Sequence, residues 1–132
     1  MDTKQLKRHI AELTEYMGKQ GVIIDPLPRL ILRSNPAYAD QTFCPTAHYS
    51  PVDQTITVYT AGRHPKDMLR SYAHELIHHD QYCSGMMDNY ATESASDPNY
   101  AQNDSHLRKM EEDAYRRGNM CFRDWTDTRK KQ

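Results

Sequence analysis

Apolar residues recur through the first twenty positions at helical spacing. Leu6, Ile10, Leu13 and Met17 form one stripe on a helix expected over residues 3–18 and ended by Gly18 or Gly21. Two short β-rich runs follow, Val22-Ile23-Ile24 and Leu30-Ile31-Leu32, each read as a strand, with a turn at Asp25-Pro26 between them. A hairpin is expected from Ala47 to Thr60. Ala47-His48-Tyr49 enters a turn at Ser50-Pro51-Val52-Asp53, and Thr55 to Tyr59 alternates, so Ile56 and Val58 should face the core and the threonines solvent.

The period then returns to that of a helix. Pro65 suits a first helical position, Leu69, Ala73, Leu76 and Ile77 share a face, and Gly85 supplies the stop. Residues 86–104 are rich in Asn, Asp, Ser and Thr without any period, a loop read as functional or partly disordered. Asp104 or Ser105 would cap a last helix carrying Leu107, Met110, Ala114, Cys121 and Trp125. Gly118 lies on that stripe, where a missing side chain allows close helix approach. The order helix, strands, helix, loop, helix predicts an α+β fold: a small, mostly antiparallel sheet packed by helices, in a single domain over residues 1–132.

Composition narrows the function. With 37% apolar and 27% charged residues and a mean hydropathy of -0.94, a modest core and long hydrated loops are expected, and a metal could add stability. A net charge of -1, from 17 basic and 18 acidic residues, offers no broad basic field, so no nucleic-acid partner is expected. Arg129-Lys130-Lys131 reads as a solvated end. Cys44, Cys83 and Cys121 cannot all pair, and no CxxC is present, which argues against a zinc ribbon or redox dithiol and fits a reducing compartment. Cys121 reads as core and Cys83 as lying near a helix end. Residues 1–20 lack the apolar run of a signal peptide and no stretch could span a bilayer, so no membrane partner and a cytoplasmic location are expected.

The chemistry is concentrated in His74-Glu75-Leu76-Ile77-His78, an HExxH sequence within the second predicted helix. Residues i and i+4 lie one turn apart on one face, so both imidazoles can reach one ion. Zinc takes neutral imidazole nitrogens at about 2.0–2.1 Å. Glu75 projects beside the pair, where it could take the proton of a water on the metal. Paired helical histidines can also be ordinary surface residues. A shuffle of this composition, however, yields HExxH only roughly 0.02 times per chain, and here it falls on a helix with an apolar stripe. Iron or manganese remains an alternative to zinc.

A catalytic zinc site commonly has three protein ligands and one open position. Glu93 and Asp97 sit on the long loop, and Asp104, His106 and Asp113 are further candidates. Glu111 and Glu112 belong to the last helix, with Glu111 at the edge of the apolar stripe and Glu112 turned toward solvent. The HExxH sequence followed by Glu111-Glu-Asp-Ala114 resembles the gluzincin group of metallopeptidases. That resemblance implies His74, His78 and Glu111 as ligands and Glu75 as general base. The short length and the run Glu111 to Asn119 are also similar to small HExxH proteins of tailed bacteriophages, which implies the host cytoplasm or a virion as location. The metzincin pattern is absent, since Ser84 stands six residues after His78 and no histidine follows nearby. Proteases of DNA repair with a similar motif are a further likeness, without the basic extension that would bind DNA.

Four neighbours complete the expectations. His79 points about 100° away from His78 and reads as lying behind the ligands or on the surface. Asp80 and Gln81 could orient the imidazoles. Tyr115, one turn after Glu111, could donate to a developing oxyanion. The strand Thr55 to Tyr59, if at a sheet edge, could hold an extended peptide. The expected activity is zinc-dependent hydrolysis of a peptide or protein substrate. The rival is a zinc-containing structural or assembly protein with virion or assembly partners.

Overall fold

Asp2 begins the first helix, α1 (Thr3–Lys19), by a reciprocal cap: its carboxylate accepts from the Gln5 amide at 2.7 Å, and the Gln5 side chain accepts from the Asp2 amide at 3.1 Å. The computed structural model describes residues 2–34, 46–85 and 105–130. Leu6, Ile10, Leu13 and Met17 are all buried, as their spacing predicts, and Gly21 leaves the helix at a φ of 99°.

Val22 to Ile24 do not form the expected strand. Their backbone groups are committed elsewhere: the Val22 amide donates to Met17 O and the Ile23 amide to the Asp80 carboxylate at 2.8 Å. Strands β1 (Arg29–Arg33), β2 (Ala47–Ser50) and β3 (Thr55–Tyr59) make a sheet ordered β1-β3-β2. β2 and β3 form the expected antiparallel hairpin, and β1 pairs with β3 in parallel. β3 is therefore the central strand. It is not the edge that peptide pairing would need. Ile56 and Val58 face the core, but Thr55 and Thr57 are buried as well. On their face Arg29 and Ile31 flank them from β1, and Ser50 and His48 from β2, so the short threonine side chains are enclosed by strands on both sides.

Helix α2 (Pro65–Cys83) starts with Pro65 as expected, its cap being His64, whose ring accepts from the Lys66 amide. Gly85 follows it at a φ of 88°. Helix α3 (Ser105–Lys130) packs against α2 more extensively than any other pair of elements pack. Ala73, Leu76 and Ile77 of α2 share one core with Ala114, Phe122 and Trp125 of α3, with the α1 stripe, and with Ile56 and Val58. Cys121 packs at the edge of this core and Cys83 is the last residue of α2. The loop 86–104, Cys44, the cap at Asp104 or Ser105 and the His106 side chain lie outside the described residues. No described helix is long and apolar enough to cross a membrane.

Gly118 lets the two helices come close. A Cβ there would stand 3.0 Å from His74 Cα and 3.1 Å from its amide nitrogen, both backbone atoms that no rotamer change can move. Alanine ordinarily gains about 1 kcal/mol over glycine inside a helix, whereas forced overpacking costs about 1–3 kcal/mol. Gly118→Ala should therefore lower stability, read as a reduced urea midpoint. A raised midpoint would show that the seam has room to spare.

Candidate metal centre

The last turn of α2 is chemically unusual. His78, His79, Asp80 and Gln81 are consecutive and all buried, at 8%, 0%, 7% and 0% exposure. Each such group costs free energy unless it is hydrogen-bonded, and each one is.

His74 and His78 project from one face of α2, ring centroids 4.9 Å apart, toward Glu111 on α3. His74 Nε2 lies 3.3 Å from Glu111 Oε2 and His78 Nε2 lies 3.0 Å from Oε1. The three ligand atoms all fall within 4.8 Å of one another, and among the described residues no other group of this kind forms. Two imidazole nitrogens and one carboxylate are a donor set that a zinc-type cation accepts, so a metal ion fits here. Of the two candidate glutamates, Glu111 faces the histidines and Glu112 is exposed.

Gln81 settles the ring chemistry of His78. Its amide nitrogen donates to Met110 O at 2.9 Å and to Asp113 Oδ2 at 3.0 Å, so its oxygen is turned to His78 Nδ1, 2.9 Å away. Nδ1 must then carry the hydrogen, and the lone pair of the neutral ring is left at Nε2, facing Glu111. Arg117 extends the chain, donating to Asp113 at 3.1 Å and to Asp80 at 3.0 Å. Asp80 does not orient an imidazole, contrary to expectation. It ties the Ile23 amide to Arg117 instead.

His79 is no surface residue. Its Nε2 donates to Pro26 O at 2.7 Å and its Nδ1 faces the Tyr49 hydroxyl at 2.8 Å, fastening α2 to the segment before β1 and to β2. Sequence reasoning missed Asp113 and Arg117 in these roles. Their i,i+4 spacing marks an ion pair on α3 but gives no hint that α2 completes it.

The electrostatics follow from burial and contact. Burial is the largest influence on Glu75 and pushes its carboxyl above the usual range, with His78 and His74 pulling the other way. Burial alone would lower His78, but the hydrogen bond from its ring to Glu111 and the Glu75 charge outweigh it and push it up to about 9. Burial would raise Glu111, yet the hydrogen bonds from His74 and His78 hold it well below the carboxylate range. Asp113 is likewise held low by Gln81 and Arg117 despite burial.

A cleft of about 340 Å³ opens on the centre, walled by His74, Glu75, Glu111 and Tyr115, and by Thr46 and Ala47 at the start of β2. Tyr115 is exposed and sets its ring edge-on to His74, centroids 4.8 Å apart. No protein-family model matches the chain, and no curated protein or solved structure matches it either.

Two outcomes are expected. Gln81→Met keeps the side-chain volume but removes the amide, and should weaken zinc binding about 10–100-fold in a chelator competition while the far-ultraviolet circular dichroism is kept. Unaltered affinity would remove Gln81 from the site. In the metal-free protein, a His78 raised above its unfolded value near 6.5 adds stability that is complete below pH 6.5 and lost as pH rises through about 9. A metal must displace the same proton, so its affinity moves the opposite way. The gap between metal-loaded and metal-free melting temperatures should widen from pH 6.5 to 9, and a constant gap would contradict this.

Proposed function

We propose that this chain is a zinc-dependent peptidase in which His74, His78 and Glu111 hold the ion and Glu75 is the general base. One observation carries the reading: the three donors converge beside a cleft whose wall also presents the Glu75 carboxyl. A zinc ion bound there would supply Lewis acidity, acidifying water toward a pKa of about 7 and polarising a peptide carbonyl. Glu75 takes the water's proton on its carboxylate, and its partial burial, which raises proton affinity, suits it to that task. It then returns the proton to the leaving amine. Tyr115, beside His74 at the cleft wall, donates its hydroxyl hydrogen to the oxyanion. With β3 in the middle of the sheet, β2 takes over the alignment of an extended peptide, since its first residues border the cleft.

The HExxH and Glu111-Glu-Asp-Ala114 arrangement that resembles gluzincins, and the likeness to small phage-encoded HExxH proteins, agree with this reading. The rival is a structural zinc site in an assembly or virion component. A closed structural site has four protein ligands. The cleft beside a cluster of three among the described residues favours the enzyme.

Glu75→Gln should retain zinc and lose turnover of a peptide library by about 10²–10⁴-fold. His74→Ala and His78→Ala should lose the metal itself, measured as zinc per chain. Undiminished cleavage by Glu75→Gln would refute the assigned base.

A further inference from the structure

Lys66, Arg70, His74 and His78 stand four residues apart along α2, a single stripe that ends on the two histidine ligands. α3 runs antiparallel beneath it: Gly118 meets His74, and one turn on Phe122 meets Arg70, whose guanidinium carbon lies 5.3 Å over the ring centroid. Arg70 and Asn119 wall the metal cleft and also a second, larger cavity of about 590 Å³, so the two adjoin across these side chains and together make a trough along the helix seam.

The far half of this trough has a definite chemistry. The half-exposed Met120 gives it apolar surface over the buried Phe122, and its lining carries Lys66, Arg70 and Arg123 against the carboxylate of Asp127, with Asp67 and Asp124 beside the two arginines. The arginines are weakly engaged elsewhere. Arg70 has one contact to Asp67 at 3.3 Å and Arg123 one to Asp124 at 3.9 Å, both exposed pairs of little strength. The cation–π contact with Phe122 restrains the Arg70 guanidinium, whose fork of donors matches a carboxylate.

We infer that this trough receives an acidic side chain of the substrate, a glutamate or aspartate lying two or three residues from the bond that is cut. The reach follows from the helix. Arg70 is six residues from the midpoint of His74 and His78, about 9 Å at ~1.5 Å per residue, and an extended peptide advances ~3.3 Å per residue. Glutamate, with its short apolar stem, matches apolar surface beneath a cationic rim. The inference rests on the peptidase reading, and its test separates the two.

The zinc-loaded Glu75→Gln protein is titrated with fluorescein-labelled peptides that carry Glu, or Gln in its place, at the second or third residue on either side of the central bond. Anisotropy should show the Glu peptide bound at least about 10-fold more tightly, from one side only, with the advantage shrinking at high salt. In the same background Arg70→Gln with Arg123→Gln should reduce the preference to below about 2-fold while zinc per chain is unchanged. Arg123→Glu alone should cut it and favour a Lys peptide. Equal binding of Glu and Gln peptides, or a preference that survives these substitutions, overturns the inference. Cleavage by the unsubstituted protein without acidic preference would overturn it too and leave the peptidase reading standing. Acidic peptides bound through Arg70 and Arg123 but never cut would uphold the trough and defeat the peptidase.

Discussion

Everything at this centre depends on one constraint: four consecutive polar side chains, His78 to Gln81, are buried at the end of a helix and, apart from the bond between His78 and Gln81, must find their partners outside that helix. Leaving one such group without its partner costs about 1–3 kcal/mol, so the partners cannot drift. Glu111, Met110 O and Asp113 answer from α3, Tyr49 from β2, Pro26 O and the Ile23 amide from the segment between α1 and β1. A single turn of α2 thereby positions three other parts of the chain. The metal ligands inherit their geometry from it.

Close helix approach is the second half of the same arrangement. Glu111 reaches both imidazoles only because α3 lies near α2, and small residues allow that: Ala73 and Ala114 are fully buried and Gly118 sits on the His74 backbone. A β-carbon added at Gly118 would lift α3 at a point seven residues from Glu111, two helical turns along. The carboxylate would retreat with its helix. Packing density in the seam and ligand geometry at the ion are thus one property.

The sequence made the helices legible because their signal is local. Leu6-Ile10-Leu13-Met17, Pro65 with Gly85, and the stripe through Leu107 and Trp125 each declare a period and its stops, and the spacing of HExxH sets two imidazoles on one helix face. Stripe position put Glu111 nearer the helix interface than Glu112, without deciding between them, and the close approach at Gly118 followed from its place on that stripe. What stayed hidden was set by tertiary partners. Ile23 reads as strand until Asp80 takes its amide, and Thr57 reads as exposed until Ile31 and His48 flank it. His79 stayed open between a place behind the ligands and the surface for a similar reason: helical angle says which way a ring points, not what a distant proline carbonyl and tyrosine place there. Strand order was equally invisible, because nothing local tells a strand that a parallel neighbour will turn an edge into a centre.

The contacts that hold α2 to α3 also bear on when the ion enters. Ala73, Leu76, Ile77, Ala114, Phe122 and Trp125 belong to an apolar core, and the chain from Gln81 through Asp113 and Arg117 to Asp80 closes without any ligand atom that an ion would use. His78 is joined to that chain through Nδ1, leaving Nε2 free of it. Apart from the contact between His78 and Glu111, the scaffold therefore uses other atoms than those of the metal-binding cluster. In domains where the ligands are also the core, metal release unfolds the chain. Here the hydrogen bond that orients His78 lies behind the cluster, so release of an ion bound there would remove a charge from the cleft and leave the apolar contacts of the seam.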